Sequence, residues 1–125
     1  MTRDMELIRA IIKAVQSRKD TAFKRLVVDG YDENTVARHA ELLIEAKFLK
    51  GDVKGGMSGV KMTAFVNDLT WEGHELAAAL ANEGVWSDIK KKFSPAELAA
   101  LPLSVLKAVA IGLVQAYAMH QAGLR

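Results

Sequence analysis

The sequence predicts a mainly α fold with a small β-hairpin or sheet: a winged-helix-like N-terminal part carrying a C-terminal helical extension. Three observations predict it. Apolar residues recur at helical spacing in several segments separated by cap and breaker residues. One stretch, residues 49–69, reads instead as two strands around a glycine-rich tip. The order helix, strand, helix, hairpin is that of a winged-helix module.

Residues 3–18 carry Met5, Ile8, Ile11, Ile12 and Val15 on one helical face, with Arg9, Lys13 and Gln16 opposite. Thr2 is the expected N-cap, and Asp4 and Glu6 suit the positive end of the helix dipole. After the polar exit 17–20, Phe23 to Val28 reads as a strand, and Asp29-Gly30 as a turn. Asp32 should cap a helix over 33–47 that buries Val36, Ala40, Leu43 and Ile44 and exposes Asn34, Arg38, Glu41 and Glu45. No extra helix is expected between Val28 and Glu33, so the first half of a helix-turn-helix is either missing or abbreviated.

Leu49–Lys54 and Val60–Leu69 form the expected hairpin, its tip containing Gly55, Gly56 and Gly59. Thr70 can cap a helix from Trp71 to about Asn82 that buries Leu76, Ala77 and Leu80, and Glu83-Gly84 should break it. Val85, Trp86, Ile89 and Phe93 make a further stripe, flanked by Lys90, Lys91 and Lys92. Ser94-Pro95-Ala96-Glu97 has the composition of a capping box with proline in the first turn. Pro102 restarts the chain into a last helix reaching about Gln121. The subdivision this suggests is a winged-helix-like module over 1–69 and a helical extension, the oligomerisation region, over 70–125.

The 125 residues are half hydrophobic, 26% charged and free of cysteine, enough for one modest core. Without cysteine there are no disulfides, thiolate metal sites or cysteine nucleophiles, and a cytoplasmic location is the expectation. Seventeen basic against 15 acidic residues give a formal charge of +2, too little to demand a polyanionic partner. The N-terminus lacks the basic and apolar regions of a signal peptide. The most apolar stretch, Val105 to Met119, is interrupted by Lys107, Gly112 and Gln115, so it reads as a buried helix and no membrane partner is expected.

Chemical motifs are sparse. The glycines before Lys61 lack the Gly-Lys-Ser/Thr of a phosphate loop, and His74-Glu75 continues to Ala78 where a zinc protease needs histidine. His39, His74 and His120 have no ligand spacing, and neither a serine nucleophile nor a carboxylate pair is marked out. The expectation is a non-enzyme with no catalytic residues, no metal and no cofactor.

Nucleic-acid binding is the leading functional reading. Asn34, Thr35 and Arg38 could face base edges from a helix in the major groove, with Lys24, Arg25, Lys54 and Lys61 placed for phosphates. Glu41 and Glu45 oppose this, and Met1 to Asp68 carries 12 basic and 10 acidic residues, a balance of only +2. The competing reading is a protein-interaction module whose partner meets the face bearing Glu41, Leu42 and Glu45. The last helix is apolar nearly all round, which points to a homodimer through Leu106, Val109, Gly112, Leu113, Ala116 and Tyr117.

Three segments carry a resemblance. Residues 3–9 (RDMELIR) with 35–43 (TVARHAELL), and above all residues 69–76 (LTWEGHEL) with Trp86 following, resemble the bacterial and phage domain-of-unknown-function family 2513. The sequence departs from that pattern at Arg38, where the family tends to an aromatic residue, and at Lys47-Phe48, where it tends to Gly-Leu. The resemblance implies a winged-helix-like fold and a prophage origin, and supplies no activity. It draws attention to Trp71, Gly73 and His74: Gly73 for close packing, Trp71 for burial against the hairpin, His74 for a bond to a backbone carbonyl.

Overall fold

The computed structural model describes residues 2–57 and 59–123. The element order is α1 Met5–Gln16, β1 Lys24–Arg25, α2 Glu33–Glu45, β2 Leu49–Lys54, β3 Thr63–Leu69, α3 Trp71–Leu80, α4 Glu83–Lys92, α5 Pro95–Ala100 and α6 Leu103–Gln121. The fold is mostly helical, with one open antiparallel sheet in the order β1-β3-β2.

The apolar face of α1 organises the core. Leu7, Ile8, Ile11 and Ile12 are completely buried and pack with α2, α3 and β3. One cluster of buried side chains continues through Val36 and Leu43 of α2, Val66 of β3, Leu76 and Leu80 of α3, and Trp86 and Ile89 of α4 to Leu106 of α6. The start of α1 corrects the sequence reading. Asp4, not Thr2, is the N-cap, and its carboxylate accepts from the Glu6 and Leu7 N–H groups. A buried histidine fixes this cap. His39 of α2 donates from Nδ1 to the Thr35 carbonyl and accepts the Asp4 N–H at Nε2, both at 2.8 Å. Both ring nitrogens are therefore satisfied in one neutral tautomer.

The first strand is much shorter than the sequence suggests. Only Lys24 and Arg25 pair with β3, opposite Val66 and Phe65. Upstream, side chains replace the ladder: Arg18 donates to the Val66 and Ala22 carbonyls, and Asn67 donates to that of Thr21. Phe23 stays outside the strand and stacks on Phe65 with centroids 5.3 Å apart. The second strand of the hairpin likewise begins at Thr63, not Val60. Its register shifts between Lys50 and Gly51, where a Cβ would lie 2.4 Å from the Phe65 carbonyl oxygen, so the bulge requires glycine.

Three corrections fall in the C-terminal half. The break after α3 lies at Ala81-Asn82, because Asn82 caps α4 and Glu83 and Gly84 are already helical. Trp71 is not buried against the hairpin but 75% exposed. Its neighbour Gly73 makes the close approach instead, with Thr70 capping its N–H and donating to the Lys47 carbonyl. Last, α6 is not a buried helix. Of its 19 residues only Leu103, Leu106 and Ala110 are buried, and by length and composition it is apolar enough to cross a membrane.

Candidate functional site

Three surfaces stand out, the first two carrying the residues singled out by sequence. The first is formed by α2 and the hairpin. Arg38 is exposed there, and its side chain reaches the Met62 sulfur at 4.0 Å. Asn34 accepts the Met62 N–H at 3.2 Å and so fastens the hairpin to α2. Thr35 donates to the Asp32 carboxylate at 2.8 Å. Both polar side chains thus have local partners.

The expected phosphate contacts are mostly paired with acids. Arg25 clasps the Glu33 carboxylate through Nε at 2.7 Å and Nη2 at 3.0 Å, and Thr63 donates to the same group. Lys24 meets Asp20 at 2.8 Å, and Lys54 meets Asp52 at 3.2 Å. These contacts hold the Asp20 and Asp52 carboxyls below the usual carboxylate range. Lys61 is exposed beside Met62, and among the described residues neither it nor Arg38 is in an ion pair. Glu41 and Glu45 are exposed along α2. Cations and anions are therefore interleaved on this face.

The second surface is the outer side of α6. Leu106 is fully buried against its own chain, and Val109, Leu113 and Tyr117 are half-buried there. Tyr117 donates to the Asp88 carboxylate of α4, which raises the phenol's pKa. Gly112 and Ala116 are exposed, and a Cβ built on Gly112 meets nothing within 4 Å. With Val105, Ala108 and Met119, also exposed, they form a stripe of apolar and small residues at spacings of three or four residues. Lys107 anchors the helix to α3 through Glu75 at 2.9 Å.

The third surface escaped sequence reasoning. A cleft of about 460 Å³ opens between the start of α1, the end of α4 and α5, lined by Arg3, Met5, Trp86, Phe93, Pro95 and Leu98 among others. Arg3 reaches over α5 to donate to the Leu98 carbonyl at 2.7 Å and to the Leu101 carbonyl. Burial pushes its guanidinium below the ordinary arginine value. The only sequence signal for this cleft was a tryptophan in an otherwise lysine-rich helix, and its meaning depends on which distant elements close around it.

The remaining titratable groups do not assemble into a centre. Among the described residues, no three His, Asp or Glu side chains gather as a metal site. His74 faces the Asp68 carboxylate at 3.7 Å rather than the expected backbone carbonyl.

Comparison with known proteins follows the same outline. The profile of the family described as "Hypothetical protein (DUF2513)" matches residues 2–98. An uncharacterized protein of Haemophilus influenzae is 32% identical over 113 residues, covering 88% of this chain and 92% of that protein. No solved structure matches.

Proposed function

The chain belongs to the DUF2513 family of uncharacterised bacterial and phage proteins, and on that premise we propose that it is a cytoplasmic, self-associating interaction module of winged-helix-like design. The observation that carries this reading is α6, a 19-residue apolar helix with three buried residues. An exposed apolar helix face in a small domain marks an interface. A second copy of α6 suits the stripe of Val105, Ala108, Gly112, Ala116 and Met119 because small residues let two backbones approach closely. Lys107, bound to Glu75, keeps the helix laid along its own domain while that stripe faces out.

The test is mass in solution by sedimentation equilibrium. A dimer is expected at micromolar concentration, and Gly112→Glu should return it to monomer without loss of helix, since the new side chain enters open space. A wild-type protein that stays monomeric overturns the reading. Flotation with lipid vesicles separates the other occupant: co-flotation of the wild type assigns α6 to a membrane instead of a second copy.

A second reading, DNA binding as a regulator or prophage accessory factor, is favoured by the sheet order β1-β3-β2 and by α2 leading directly into the hairpin. On a winged-helix reading α2 takes the place of the recognition helix. Arg38 would then read a base, and Arg38→Ala should weaken binding by about 1–3 kcal/mol. The interleaved acids on this face rank DNA binding behind protein interaction.

A further inference from the structure

Two residues that line the cleft beside α5 each carry a buried N–H donor with no acceptor among the described residues: Arg3 Nε and Trp86 Nε1. Trp86 is 2% exposed, so water does not readily serve its indole. An orphaned buried donor is costly, and two on one cleft point to an acceptor supplied from outside.

The charges around the cleft define that acceptor. Asp4 uses its carboxylate to cap α1. Glu6 faces Lys90 at 3.6 Å. Arg3 bonds only to carbonyls, and among the described residues no carboxylate pairs with it. One cation is therefore left without a counter-ion. Arg9 and Lys90 lie 5.4 and 5.6 Å from the centroid of the Trp86 ring, and each already faces a carboxylate, Glu83 and Glu6 respectively. The other walls, including Met5, Phe93, Pro95, Ala96 and Leu98, are apolar, and the volume of about 460 Å³ is that of a small-ligand site.

We propose that this cleft binds a small amphipathic carboxylate, its head group accepting from Arg3 Nε and Trp86 Nε1 and its apolar body lying along Phe93, Pro95 and Leu98. A singly charged carboxylate balances one unpaired guanidinium, whereas a phosphate monoester of charge about −1.5 to −2 brings an excess. The site is independent of α6 and of the hairpin face, so it stands or falls separately from the proposed function.

The probes are decanoate, decanol and decyl phosphate, titrated below their aggregation limits. The reporter is the fluorescence of Trp86 in a Trp71→Phe background, which removes only an exposed ring. Saturable binding of decanoate is expected, about tenfold or more tighter than decanol. Arg3→Met should bring decanoate to the level of decanol, and Ala96→Phe, which fills the mouth without touching either donor, should abolish binding of both. Absence of saturable decanoate binding, equal affinity for decanol, or indifference to Ala96→Phe overturns the site. Tighter binding of decyl phosphate overturns the carboxylate assignment. If Arg3→Met does not fold, the decanoate-to-decanol ratio and Ala96→Phe still decide.

Discussion

Lys47 has φ of +69°, the left-handed conformation that ends a helix. Two backbone bonds require it: Phe48 N–H donates to the Leu43 carbonyl at 2.8 Å, and Lys47 N–H to that of Ile44 at 3.0 Å. This is the Schellman arrangement, whose left-handed position favours glycine. Lys47→Gly should therefore stabilise the fold by a net of about 0.5–1 kcal/mol, the relief of left-handed strain exceeding the added freedom of the unfolded chain. A higher urea midpoint at unchanged slope is the expected result. Gly73 shows the reverse constraint, because a Cβ there would lie 2.0 Å from the Phe48 carbonyl oxygen. That carbonyl accepts the Thr70 N–H at 3.1 Å, so it cannot withdraw without loosening the join between β3 and α3. Gly73→Ala should cost about 3 kcal/mol, read from the same urea titration. Within the Thr-Trp-Glu-Gly-His run, Gly73 is thus explained by backbone approach, with Trp71 left on the surface.

At the scale of elements, charged side chains lock helices together. Arg9 donates from Nε to the Leu80 carbonyl at the end of α3 and from Nη2 to Glu83 at the start of α4, at 2.9 and 2.8 Å. The Arg9 guanidinium holds the Glu83 carboxyl below the usual carboxylate range. Because the folded value lies below the unfolded one, the unfolded chain binds more protons in the window between them. The contribution to stability is complete above the ordinary carboxylate pKa of about 4.3 and is lost as pH falls through the folded value. Glu83→Gln should therefore narrow the difference between urea midpoints measured at neutral and at acid pH. Such locks also mark what the sequence could not display. The caps Asp32, Thr70 and Ser94 were legible because their partners lie within three residues, as in the Ser94–Glu97 capping box. The buried stripe of α1 was legible from its period. Arg9 read as a solvated residue because its partners lie more than 70 positions away. The Arg3 cleft stayed hidden for the same reason, since Arg3 and Leu98 are 95 positions apart. The sequence marks Asn34, Thr35, Lys24, Arg25 and Lys54 by residue type alone, while their hydrogen bonds and ion pairs are set by the fold.

The whole molecule adds a constraint that no single residue carries: the face of α2 and the hairpin is close to electrically balanced. Lys24, Arg25 and Lys54 each have a carboxylate at 3.2 Å or less, while Arg38 and Lys61 have none among the described residues. Each exposed pair is worth little and can open, but an opened pair presents its carboxylate to the same phosphates. Of the cations singled out for nucleic acid, Arg38 and Lys61 alone then release counterions without bringing an anion with them. Each neutralised phosphate contributes about −0.9 to the slope of log affinity against log salt on duplex DNA. Anisotropy of a random duplex pool across a salt series should accordingly give weak binding with a slope of about −2 per chain. The double variant Arg38→Ala with Lys61→Ala should flatten it toward zero. A slope of about −4 or steeper would mean that Lys24, Arg25 and Lys54 leave their acids for phosphate, and it would put the DNA-binding reading ahead of the protein-interaction one. Dimerisation through α6, as proposed, would double the slope per particle but not per chain. Recording mass alongside affinity therefore separates the two effects, and shows whether the same molecules that pair through α6 are those that bind.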